Sequence, residues 1–314
     1  MNILVVFTGG TIGSMISDGF ISPDGKTGRL LIDQYESLYG NKVNFITREP
    51  YSILSENLTF SDLNLLVECV VKEAGEDYDG IIVTHGTDTI QYSASALSYA
   101  LGTKSIPVVL VSSNFPLDNP RSNGLVNFAA AVEFIKQKKG SGVFVAYQNE
   151  NGCVHFHRGE KLLSHREGDD SLFSVDGKFY ASLSDGEITV FDTPEEREGL
   201  GAFTLCEGPS ILVVDACPGG KYDFNVGNCN AIIFRPYHSG TLNTSNQGFE
   251  KFCLSVSEKG VPVFVVNVKE GTTYLSSKEF DRLHIIPLYS SSFISTYVRL
   301  WIAISRGEDL KNIF

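Results

Sequence analysis

Short apolar runs that stop at glycine-rich, hydroxyl-rich turns set the rhythm of the first half of this chain. Ile3–Phe7 is one such run and breaks off at Thr-Gly-Gly-Thr. Gly80–Thr84 repeats the form and leads into His-Gly-Thr-Asp-Thr. Runs of this length, apolar on both faces, predict buried parallel strands that feed turns. Between them, Leu63, Leu65, Leu66, Val70 and Val71 fall at helical spacing over Ser61–Glu73, with Ser61 or Asp62 as the expected cap. A second helix is predicted over Ile90–Leu101, a third strand over Ile106–Val111, a third helix over Asn127–Lys138 and a fourth strand over Gly142–Tyr147. Such alternation predicts a parallel sheet covered on both faces.

The rhythm breaks over 149–208, where Gly, Ser and Asp are frequent and Lys178–Ser182 and Glu187–Phe191 alternate as a hairpin would. It resumes with strands at Ile211–Asp215, Ala231–Phe234 and Val261–Val266 and helices at Asn246–Glu258 and Ile294–Ser305. The expectation is a two-domain α/β protein. A larger N-terminal domain with a flavodoxin-like parallel sheet spans 1–190, a linker 191–209, and a smaller α/β domain 210–314. No internal repeat or low-complexity tract interrupts this plan.

Bulk composition narrows the function. With 314 residues, 42% hydrophobic and 20% charged, the chain is long enough for two cores and ordinary in balance. A formal net charge of −12 argues against nucleic acid or an anionic membrane as partner, since both are gripped by Lys/Arg surfaces. No apolar run approaches the ~20 residues of a membrane span, and the N-terminus has no basic stretch ahead of a hydrophobic one, so a cytoplasmic location is expected. The six cysteines lack the close pairs of a disulfide framework or zinc site, and most are expected to be small core residues. His155-Phe156-His157 is read as a solvated strand face rather than a metal cluster, since no Cys, Asp or Glu completes a site. Neither metal nor cofactor is expected.

In open parallel sheets, ligands sit at the carboxyl ends of the strands. Thr8–Ile12 and Thr84–Thr89 both lie there. Together they resemble the two signature motifs of the bacterial asparaginase/glutaminase family, in order, separation and strand-end position. Pro120-Arg121-Ser122-Asn123-Gly124 with Asn127, the Ser55-Glu56 pair, Ser113 and the segment Tyr237–Thr244 resemble further family segments. The resemblance implies that Thr11 is the nucleophile and that Thr87 activates the second step or positions its water. It also implies that Asp88, with Glu56, grips a substrate's α-ammonium, and that Gly9, Gly10 and Gly86 let backbone donors approach the ligand. Ser55 and Ser113 would touch the substrate. The implied activity is hydrolysis of the side-chain amide of L-asparagine or a related amide, by a homodimer or homotetramer whose site lies between subunits. These residues also have an architectural reading: Thr87 and Asp88 as a helix cap, Ser55-Glu56 as capping chemistry, Ser113 as a turn residue.

Two positions depart from the family. A catalytic lysine is expected five residues after a glycine and nine before a phenylalanine; Gly159 and Phe173 both point to Ser164, with Lys161 three residues away. The tyrosine of the mobile N-terminal loop corresponds to Phe20, which can neither give nor take a proton. General acid–base help is worth ~10²–10⁴-fold. No clear match exists for the family's carboxylate that reaches a neighbouring subunit. Three readings stay open. The lysine role has moved to Lys161; Ser164-His165 forms a different base; or the protein binds an amino acid without turnover.

Overall fold

The computed structural model describes the chain except residues 18–19, 24–26, 41, 104, 167, 194–195, 209 and 272–273, with no side chains described over 14–27. It divides into two compact units, Met1–Phe203 and Thr204–Phe314.

In the first unit, β1 (Asn2–Phe7) runs through Thr8–Gly10 into a hairpin of β2 (Ser14–Ser17) and β3 (Phe20–Pro23). Then follow α1 (Thr27–Tyr39), β4 (Asn44–Arg48), α2 (Phe60–Glu73), β5 (Gly80–Thr84), α3 (Ile90–Leu101), β6 (Pro107–Val111), α4 (Gly124–Lys136) and β7 (Gly142–Gln148). Three antiparallel additions, β8 (Val154–Arg158), β9 (Ala181–Ser184) and β10 (Glu187–Val190), complete an eight-stranded sheet of order β10-β9-β8-β7-β6-β5-β1-β4. Its parallel part, β4-β1-β5-β6-β7, has the flavodoxin-like order. The chain winds to one side of β1 for β4 and to the other for β5, so the switch point falls between β1 and β5.

Residues Ile3–Val6, Ile81–Val83 and Val108–Val111 are fully buried. Alternate residues of these strands meet Leu31 and Ile32 of α1 and Phe128, Phe134 and Ile135 of α4 in one continuous core. On α2 the cap is Thr59 rather than Ser61 or Asp62. Thr59 Oγ1 accepts the Asp62 N–H while the Asp62 carboxylate accepts the Thr59 N–H, a reciprocal box. α2 and α3 pack against each other, and α3 lies on β7.

β8 corrects the expectation of a solvated face. His157 is 2% exposed, and its Nδ1 lies 2.8 Å from Ser174 Oγ; His155 stacks on Phe179 at 4.0 Å. The strand is interior because β9 and β10 extend the sheet beyond it. Residues 197–201 of the expected linker are tied to the end of α3, through Thr103 N–H to Arg197 O and Leu200 N–H to Tyr99 O, each 2.9 Å.

The second unit holds β11 (Ile211–Asp215), β12 (Ala231–Arg235), α5 (Gln247–Glu258), β13 (Val263–Val268), α6 (Leu275–Lys278), β14 (Ile285–Tyr289) and α7 (Phe293–Arg306). Its strands form a parallel sheet of order β11-β12-β13-β14, with Phe234, Phe249 and Val265 at its core. All six cysteines are free, and of these only Cys253 is buried. The core role expected of most of them fails because Cys153, Cys206 and Cys217 lie in exposed segments. No helix among the described residues is long and apolar enough to cross a membrane.

Candidate active site

At the carboxyl end of the sheet, the loops after β1 and β5 lie directly against each other. Gly9 and Gly10 adopt φ of +90° and +72°, which side-chain-bearing residues rarely adopt. A Cβ on Gly10 would stand 2.3 Å from the Gly86 nitrogen. One on Gly86 would stand 2.3 Å from Ser55 Oγ. Three loops therefore meet at a point where only glycine fits. The Gly10 N–H, expected to face a ligand, is donated instead to Ile53 O at 2.8 Å, while Ile53 N–H returns a bond to Thr8 O. Gly10 thus contributes close approach rather than a spare donor.

Thr8 Oγ1 donates to Thr84 O at 2.7 Å, joining the ends of β1 and β5. Just beyond them, Thr11 begins a 3-10 turn (Thr11–Gly13) and is half-buried, as is Thr87, while Asp88 is exposed. Ser55 opens another 3-10 turn, Ser55–Asn57, and clamps the Thr87–Thr89 turn from the side. Its hydroxyl donates to Asp88 Oδ2 at 3.4 Å, and its carbonyl accepts from Thr89 Oγ1 at 2.8 Å. Glu56, next along, is exposed. Two exposed acidic residues, Glu56 and Asp88, therefore sit on turns joined through Ser55.

His85 is buried, with Nδ1 2.9 Å from Gly86 O and Nε2 2.8 Å from Ser93 Oγ. Burial pushes its pKa down to about 4, with the Gly86 carbonyl acting the other way. Both ring nitrogens are engaged within the fold, so its role is architectural. Beneath the first loop lies a cavity of about 190 Å³ bordered by Phe7, Gly9, Gly13, Ile32, Thr47 and Thr84. The buried Thr84 Oγ1 has no hydrogen-bond partner among the described residues.

Ser113 lies two residues past β6, the strand whose last residue, Val111, accepts the His85 N–H. It is fully buried, its hydroxyl donating to Phe115 O and lying 2.8 Å from Ser122 Oγ. Asn123 and Asn127 of the Pro120–Asn127 segment bind backbone: Asn123 Nδ2 donates to Gln148 O, and Asn127 bridges Ser112 O and Gln148 N–H. That segment braces the ends of β6 and β7.

Lys161 is exposed, in a 3-10 turn (Gly159–Lys161). Ser164 is half-buried, and the Phe20 side chain lies outside the described residues. His165 is half-buried and donates through Nε2 to Thr87 O at 3.0 Å. The contact spans 78 positions of sequence, and only the doublet Ser164-His165 at the altered position hinted at it.

Residues 2–194 match the family model described as "Asparaginase, N-terminal". This chain belongs to the asparaginase family. L-asparaginase of Thermococcus kodakarensis is 26% identical over 321 residues, covering 100% of this chain and 95% of the relative. L-asparaginase 1 of Escherichia coli strain K12 is 29% identical over 273 residues, covering 83% and 78%. The solved structure of the thermostable L-asparaginase from T. kodakarensis superposes with a TM-score of 0.81 at 24% identity, covering 100% of this chain and 95% of that one. At that identity the superposition speaks for the shared two-domain fold. The kinship agrees with the arrangement in which the two threonine loops of this asparaginase-family chain touch.

Proposed function

We propose that this chain is an amidohydrolase that cleaves the side-chain amide of L-asparagine or a related linear amide, with Thr11 as nucleophile and without a cofactor. The observation that carries this reading is the contact of Gly10 with Gly86, which sets the Thr11 and Thr87 loops side by side at the switch point of the sheet. In this scheme Thr11 Oγ adds to the amide carbon. The C–N bond breaks, and ammonia leaves with the hydroxyl proton. Water then cleaves the resulting ester, returning the hydroxyl to Thr11 and releasing the acid. Thr87 orients that water. Asp88 and Glu56 receive the α-ammonium, and Ser55 holds the Asp88 carboxylate in place. Purified protein should release ammonia from asparagine, and Thr11→Ala should stop it. No release from asparagine, glutamine or their derivatives rejects the reading.

Ser164, at the position where Gly159 and Phe173 set the register for a lysine, favours a second reading: an asparaginase-like protein that holds an amino acid without turnover. It predicts ligand-dependent thermal stabilisation with no product. On either reading the chain acts in the cytoplasm as a homodimer or homotetramer, which sedimentation would test.

A further inference from the structure

We propose that His165 is a positioning residue of this site, holding the Thr87 turn in its working orientation; the inference rests on the hydrolase reading above. The turn is tied residue by residue. Asp88 O accepts from Gln91 Nε2 at 2.9 Å, Thr89 Oγ1 donates to Ser55 O, and Thr87 O accepts from His165 Nε2 at 3.0 Å. A carbonyl can only accept, so His165 Nε2 carries a hydrogen and aims it at the Thr87 peptide. The Thr87 side chain leaves the same residue whose carbonyl His165 fixes. A tilt of that peptide therefore swings the hydroxyl.

The segment bearing His165 is anchored on both sides. Upstream, Gly159 lies so close to α3 that a Cβ would stand 2.4 Å from Ser98 Oγ and 2.7 Å from Ala94 O. Leu163 N–H then donates to Phe173 O at 2.9 Å, beside a bridge between Leu162 and Ser174. Ser174 is in turn held by the buried His157. Downstream, the Arg166 guanidinium covers the Phe173 ring at 3.7 Å, and the backbone N–H of Asp169 donates to Arg166 O at 3.3 Å. His165 sits between these anchors, and α3, on which the upstream one rests, begins at Ile90, immediately after the Thr87–Thr89 turn. The donor and its target thus share one scaffold, which lets a single hydrogen bond define an orientation. Displacing a reacting group by about 1 Å costs on the order of 10²-fold in rate, so a partial loss of that constraint should be read in kcat.

The test uses the full chain with L-asparagine and L-glutamine, measuring ammonia release. His165→Leu keeps bulk and removes the N–H; His165→Gln keeps a donor of similar reach. Leu should lower kcat about tenfold with KM changed less than about threefold, and Gln should restore kcat to within about threefold of wild type. If the Leu variant does not fold by circular dichroism, His165→Ala, smaller and likewise without the N–H, replaces it under the same expectations. Wild-type kcat in the variant lacking the donor overturns the role of His165 alone. So does a folded Gln variant no better than the variant lacking the donor. A wild-type protein that releases ammonia from neither amide overturns the hydrolase reading, and this inference with it.

Discussion

Gly10 and Gly86 touch backbone to backbone, 76 residues apart in sequence, with no room for a single methyl between them. Gly10→Ala would force a left-handed backbone on alanine and drive its Cβ into the Gly86 peptide. We expect a loss of about 2–4 kcal/mol in urea unfolding. Ammonia release should fall at least about tenfold at temperatures where the variant is still folded. A variant with wild-type midpoint and rate would mean that the two loops are free to part.

Removing the nucleophile should separate chemistry from binding. Thr11→Ala is expected to lower kcat by about 10⁴-fold or more. Aspartate, the product of the proposed reaction, should still raise the Tm of that variant, because Asp88, Glu56 and Ser55 are untouched. Loss of that stabilisation in Thr11→Ala would place Thr11 in binding instead.

Two buried histidines should make the protein acid-sensitive well above the carboxylate range. Burial lowers the pKa of His85 to about 4 and that of His157 to about 3. The unfolded chain binds both protons near pH 6.5, so stability is fully present above that pH and falls as pH drops toward the folded values. Each group contributes a slope of about 1.4 kcal/mol per pH unit between roughly pH 6 and 4.5. His157→Gln should flatten the curve by one such slope in denaturant unfolding from pH 7 to 4.5. An unchanged slope would show that His157 is solvated.

Asn127 is fully buried and serves two strands at once, giving Nδ2–H to Ser112 O at 2.8 Å and accepting Gln148 N–H at 2.7 Å. Asn127→Ala orphans both backbone groups and should destabilise the chain by about 2–4 kcal/mol. Hydrogen exchange should report the change first at the Gln148 amide. A cost below about 0.5 kcal/mol would mean that other groups, or water, serve those atoms.

What the sequence shows of this fold depends on how each element is buried. β5 and α3 are read at their structural bounds, because a strand buried on both faces and a helix buried along most of its length leave unbroken apolar signals. β4 goes unread: as the edge strand its Asn-Phe-Ile-Thr-Arg is half exposed and pairs only with β1. α1 goes unread too, its apolar stripe being diluted by charged and polar positions. β14 is hidden by Pro287, which an edge strand tolerates. Within the site, the two threonine loops and the Ser55-Glu56 turn are legible because close backbone approach demands glycine and hydroxyl residues in sequence. The burial of His157 and the reach of His165 are not, since both depend on where the 159–174 segment folds back.

His85 is the only imidazole within the paired motifs, and its surroundings dictate its tautomer. Gly86 O offers no hydrogen, so Nδ1 must supply one, which leaves Nε2 to accept from Ser93. A ring wired this way, and held neutral by burial, has no lone pair to lend to a reaction. If Thr11 is the nucleophile, as proposed, the group that takes its proton is not this imidazole, and the histidine of the second motif belongs to the frame that shapes the loops rather than to the chemistry they carry.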